Sequence, residues 1–152
     1  MPFSLRPLLI ADHDEIAVED LRSVLSREHF SVDVARDGDE ALRFIKRNWY
    51  SAVLLDLLLP RLNGFEVLRE LKALHPAILK KVIIVTGASP STVACVGEFA
   101  VHGVLAKPLM RADLLPMIAQ CTGADRTSRI AAASMATMPG KMQGPSVRST
   151  TG

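Results

Sequence analysis

Ala52-Val53-Leu54-Leu55-Asp56-Leu57-Leu58-Leu59-Pro60 is an apolar run interrupted by a single carboxylate. An ionised side chain is costly to bury in such company unless it is paired. Asp56 therefore belongs at the open end of a buried strand, within reach of solvent, metal or substrate. Three further runs end in the same manner. Leu8-Leu9-Ile10-Ala11 enters Asp12-His13-Asp14, Val82-Ile83-Ile84-Val85 enters Thr86-Gly87, and Val104-Leu105-Ala106 enters Lys107-Pro108. Short, continuous apolar runs read as strands covered on both faces, the pattern of a parallel sheet. Parallel strands bring their last residues to one edge, so two acids, a hydroxyl and a lysine converge there.

Helical periodicity fills the intervals. Ile16, Leu21, Val24 and Leu25 recur at helical spacing after the first strand. Phe30-Ser31-Val32-Asp33-Val34 alternates with period two, as a half-covered edge strand does. Asp37 is the expected N-cap of a helix whose buried face is Ala41, Leu42 and Ile45. The turn Pro60-Arg61-Leu62-Asn63-Gly64 leads to an amphipathic helix with Phe65, Val67, Leu68 and Leu71 inward, ending near His75-Pro76. Helices are expected over Pro90–Val101 and about Arg111–Gln120. Pro116 should kink or shorten the last one, at about 3 kcal/mol for an interior position. Five strands alternating with five helices give an α/β fold, a doubly wound parallel sheet with helices on both faces.

Composition sets the bounds. The 152 residues, 49% hydrophobic and 22% charged, suit one globular core. Residues 1–121 carry 14 Lys and Arg against 15 Asp and Glu, whereas residues 122–152 carry four against one. The basic balance thus lies in a Ser/Thr/Ala/Met/Gly-rich tail without periodicity, read as disordered. Four scattered cations without interleaved aromatics make a poor nucleic-acid footprint, so no nucleic-acid partner is expected. The first apolar run, four residues before Asp12, is too short for a signal peptide or a membrane span. Cys95 and Cys121 have no metal or redox spacing, and Cys95 is expected to be a small buried hydrophobe. These features suit a cytoplasmic protein.

At the strand ends the chain resembles the receiver domains of two-component response regulators, the CheY-like family. The resemblance rests on Leu9-Ile10-Ala11-Asp12, Leu54-Leu55-Asp56-Leu57-Leu58-Leu59-Pro60, Asn63-Gly64, Val85-Thr86-Gly87-Ala88 and Ala106-Lys107-Pro108, in the family's order. It implies a flavodoxin-like sheet of strand order 2-1-3-4-5, with residues 1–121 as the receiver domain and 122–152 as the tail. It implies that Asp56 accepts a phosphoryl group from a histidine kinase or a histidine phosphotransfer protein. Lys107 and Thr86 complete the catalytic set, and Gly87 and Ala88 form the phosphate loop. Asp12, Asp56 and the Leu58 backbone would hold Mg²⁺, with Mn²⁺ as the alternative. A downstream protein would dock on the face of helix 90–101, strand 104–106 and helix 111–120. The protein is then a single-domain response regulator, not an enzyme with a separate turnover.

The residue chemistry agrees. A carboxylate is a competent nucleophile toward phosphorus, and phosphoryl transfer needs positioned cations more than covalent chemistry. Three departures from the family pattern stand out. His13 occupies the place of the family's second acid, and neutral imidazole is a poor Mg²⁺ ligand. Val104 stands where an aromatic ring is usual. The Thr86–Lys107 interval is one residue short, a deletion assigned to the loop around Ala88–Ser91. The rival reading is a phosphorylation-independent pseudo-receiver, an interaction module whose metal site is degenerate at His13.

Overall fold

A computed structural model describes residues 6–123. The elements are β1 (Leu8–Ala11), α1 (Glu15–Arg27), β2 (Val32–Ala35), α2 (Gly38–Arg47), β3 (Ala52–Leu55), α3 (Gly64–Leu74), β4 (Val82–Thr86), α4 (Pro90–Ala94), β5 (Gly103–Ala106) and α5 (Arg111–Thr122). Two 3₁₀ segments, Pro76–Lys81 and Cys95–Glu98, precede β4 and follow α4. All five strands are parallel in the order β2-β1-β3-β4-β5, as expected from the resemblance.

Strand alternation divides the core into two layers. Leu9, Ala11, Val53, Leu55 and Ile84 face the layer that holds Ala41, Leu42 and Ile45 of α2 and Val67, Leu68 and Leu71 of α3. Leu8, Ile10, Leu54, Ile83 and Val85 face Val18, Leu21 and Leu25 of α1 and Leu114 and Ile118 of α5. The strands read as unbroken apolar runs because both faces are covered. β2 lies at the edge, and its alternating exposure matches the period-two reading.

Helix starts are fixed locally. Asp14 Oδ1 accepts from the Ile16 and Ala17 N–H groups, and Asp37 Oδ1 from that of Glu40. Asn63 and Glu66 form a reciprocal capping box at α3. Gly64 is required here by packing. A methyl on it would stand 2.6 Å from Leu57 Cα and 2.7 Å from the Asp56 carbonyl oxygen.

Several expectations are corrected. The helix expected over 90–101 stops as α-helix at Ala94 and tightens into 3₁₀. Thr92, Val93 and Val96 are β-branched and Gly97 is a poor helix former, so propensity is weak. Phe99 and Val96 nevertheless turn inward and are buried. Cys95, expected inside, is exposed on this short segment. Ile16 is also exposed, lying in the first turn of α1 away from the sheet. The 3₁₀ segment Pro76–Lys81 had no clear periodic signal. α5 continues through Pro116 to Thr122 instead of being shortened there. Pro116 and Ala112 are both exposed, so the Ala112 carbonyl that Pro116 leaves without a helical N–H donor lies on the solvent side. The expected tail, apart from Thr122 and Gly123, lies outside the described residues.

Candidate functional site

Register brings the site together. Ala11 pairs with Leu55, and Thr86 with Ala106, so β1 and β3 end level, as do β4 and β5. Main-chain bonds carry this alignment one residue further. The Asp12 N–H donates to the Ala35 carbonyl, Asp56 N–H to Ala11, and Lys107 N–H to Thr86, at 3.0, 3.0 and 2.9 Å. Each functional side chain therefore springs from a backbone held by its neighbouring strand. The Lys107–Pro108 peptide is cis.

The side chains form one connected network. Lys107 Nζ donates to Asp12 Oδ2 at 2.7 Å and to Asp56 Oδ2 at 3.0 Å. Asp56 Oδ1 accepts from the Leu58 N–H and from Thr86 Oγ1, both at 3.0 Å. Thr86 Oγ1 in turn accepts from the Ala88 N–H at 3.2 Å. Asp12 Oδ1 accepts from the Asp14 N–H at 2.9 Å. Asp12, Asp56 and Thr86 are 2%, 3% and 1% exposed. Two buried carboxylates share one ammonium, so the pocket holds excess negative charge. Paired, buried ions of this kind serve function more readily than stability.

Burial lowers the Lys107 pKa, but hydrogen bonds and charge from Asp12 and Asp56 outweigh it and leave it above the ordinary 10.5. The ammonium is therefore charged throughout the neutral range. Its contribution to stability is fully present below the ordinary lysine value and is lost as pH rises through the elevated folded value.

The remaining expected residues divide. Leu58 reaches Asp56 through its main-chain N–H, while its side chain stands exposed. Gly87 is exposed and an added methyl on it would meet nothing within 4 Å. Ala88 is half-buried and packs against the α2–α3 layer, as does Val104. His13 is exposed, yet a ring nitrogen and carboxylate oxygens of Asp12 and Asp56 all lie within 4.8 Å of one another. Two hard carboxylate donors suit a divalent cation, and the third donor is an imidazole. Sequence reading missed the commitments of nearby acids. Glu15 pairs with Arg36 Nη1 at 2.6 Å, and the Glu40 carboxylate accepts from the Arg36 N–H at 2.8 Å. No periodicity signals such cross-loop pairs.

Comparison with known proteins decides the family. The response regulator receiver domain family matches residues 8–119. The chain belongs to that family. Among curated relatives, the response regulator MprA of Mycobacterium sp. (strain KMS) is 46% identical over 66 residues, 43% of this chain and 29% of that protein. The regulatory protein VanRB of Enterococcus faecalis is 41% identical over 70 residues, 46% of this chain and 31% of that protein. The matches thus span less than a third of those relatives' length. A CheY-like receiver domain from Methanospirillum hungatei superposes with a TM-score of 0.71 at 29% identity, covering 79% of this chain and 95% of that one. The receiver domain of a Pseudomonas aeruginosa sensor histidine kinase has a TM-score of 0.72 at 24% identity, covering 80% of this chain and all of that one. That structure carries a magnesium ion coordinated in its active site cleft. Among the described residues of the present receiver, no helix is long and apolar enough to cross a membrane.

Proposed function

We propose that this receiver accepts a phosphoryl group on Asp56 from a histidine kinase or histidine phosphotransfer protein and signals through protein contacts. The observation that carries the reading is Lys107 Nζ bridging the buried Asp12 and Asp56 carboxylates, with Gly87 exposed and unobstructed next to Thr86. In the transfer, an Asp56 carboxylate oxygen bonds to phosphorus as the P–N bond of the donor phosphohistidine breaks. The electron pair of that bond leaves with the imidazole, which takes up a proton. Lys107 offsets charge on the phosphoryl oxygens, and Asp12 and Asp56 would hold a divalent cation that would supply further charge neutralisation. Thr86 gives up its bond to Asp56 and turns its hydroxyl to a phosphoryl oxygen, moving Ala88 with it. No separate substrate is turned over. The working compartment is the cytoplasm, and the downstream partner docks on the α4–β5–α5 face.

Acetyl phosphate with a divalent cation tests this, with intact-mass readout. Wild type should gain one phosphoryl mass and Asp56→Asn none. Absence of labelling with Mg²⁺, Mn²⁺ and Co²⁺ alike would favour the pseudo-receiver reading, to which His13 points. Leu58 and Ala88 bring no polar side chain to orient a water, so the bound phosphoryl group should hydrolyse slowly. Leu58→Asn should shorten its lifetime about tenfold or more.

A further inference from the structure

We propose that the ion site of this receiver selects a six-coordinate divalent transition ion, in the class of Mn²⁺ to Co²⁺, over Mg²⁺, with His13 as a direct nitrogen ligand. The proposal rests on the phosphoacceptor reading only in taking the same pocket as an ion site.

Three donors converge: Asp12, His13 and Asp56 offer ligand atoms within 4.8 Å of one another. The neighbouring acids Asp14 and Glu15 stand outside this group. Asp14 Oδ1 is committed to the N-terminus of α1, accepting from the Ile16 and Ala17 N–H groups at 3.0 and 3.4 Å. Glu15 is paired with Arg36 at 2.6 Å. The backbone around His13 is held on both sides, since Asp12 N–H bonds to Ala35 and Asp14 N–H to Asp12 Oδ1. His13 itself is exposed, so its ring is free to turn toward an ion without disturbing the core.

Donor chemistry gives the selectivity. Mg²⁺ is hard, sheds water reluctantly and takes oxygen ligands. Imidazole suits transition ions, whose affinity for a mixed nitrogen and oxygen site rises from Mn²⁺ through Fe²⁺ to Co²⁺. Charge acts in the same direction. Two carboxylates and Lys107 leave the pocket at about −1, whereas an acid at position 13 would leave about −2. Mg²⁺, bound mainly by that field, loses most. A transition ion recovers part of the loss through its bond to nitrogen.

Tag-free full-length protein should be titrated with Mn²⁺, Co²⁺ and Mg²⁺, alongside His13→Asp and His13→Gln. Free Mn²⁺ is followed by electron paramagnetic resonance, Co²⁺ by its visible bands and Mg²⁺ by competition. Circular dichroism checks that each variant is folded. His13→Asp should lower the preference for Mn²⁺ over Mg²⁺ by about tenfold or more. Pulsed electron paramagnetic resonance of the Mn²⁺ complex should detect coupling to a coordinated imidazole nitrogen in wild type and none in His13→Gln. An unchanged Mn²⁺-to-Mg²⁺ ratio in His13→Asp, or bound Mn²⁺ without nitrogen coupling, overturns the proposal. Nitrogen coupling in a protein that acetyl phosphate never labels would sustain this ion site while removing the phosphoacceptor role. Labelling with Mg²⁺ as good as with Mn²⁺, and no nitrogen coupling, would do the reverse.

Discussion

At the residue scale, the pocket places two carboxylates around one ammonium, and that imbalance has a measurable cost. Asp12 and Asp56 are almost fully buried, and both lean on Lys107 at 2.7 and 3.0 Å. Neutralising one acid while keeping its shape relieves the repulsion. Asp12→Asn should therefore stabilise the fold by about 1 kcal/mol in urea unfolding at neutral pH while reducing phosphorylation, since function-bearing sites are often held below their stability optimum. A loss of stability of similar size would mean that Lys107 needs both acids. Asp56 and its partners were legible in the sequence because a carboxylate, a threonine and a lysine each end an apolar run. The detail that Thr86 bonds Asp56 Oδ1 while Lys107 takes Oδ2 was not, because it depends on side-chain geometry across β3, β4 and β5.

At the scale of elements, local signals worked where the chain decides for itself. The cap Asp37 lies within three residues of the N–H group it satisfies, so spacing alone exposes it. The segment after Ser89 is different. Its periodicity suggested one helix, but weak propensity and the burial of Phe99 produced five α-helical residues and a 3₁₀ turn. Cys95 consequently faces solvent, while burial pushes the Cys121 thiol up to about 11 against the opposing charge of Lys81. Iodoacetamide near neutral pH should alkylate Cys95 well before Cys121, with peptide mapping as the readout. Preferential labelling of Cys121 would refute this arrangement. The start of α3 is tighter. Gly64→Ala should cost about 2–3 kcal/mol by forcing the helix off Leu57 and the Asp56 carbonyl, which chemical denaturation would detect. Tolerance within a few tenths would show that the loop yields freely.

At the scale of the whole molecule, one sheet carries both layers, so the two halves of the core share every central strand. Ile84 is fully buried in β4 between β3 and β5. Ile84→Ala should lower stability by about 2–5 kcal/mol. Far-ultraviolet circular dichroism should report the same midpoint as the fluorescence of Trp49, whose ring lies 5.9 Å from the Arg6 guanidinium, if the sheet unfolds as one unit. Separate midpoints would divide the molecule into independent parts.

The sequence alone determined the parallel α/β class, the strand ends and the residue types gathered there. Apolar runs, their punctuation and helical spacing are local properties, readable without knowing what packs on what. Only the tertiary structure decided which oxygen of Asp56 each partner takes, that Asp14 caps α1 and leaves His13 beside the two acids, and that the segment after Ser89 breaks. Those outcomes depend on contacts between residues far apart in the chain, where strand register and core packing outweigh local preference.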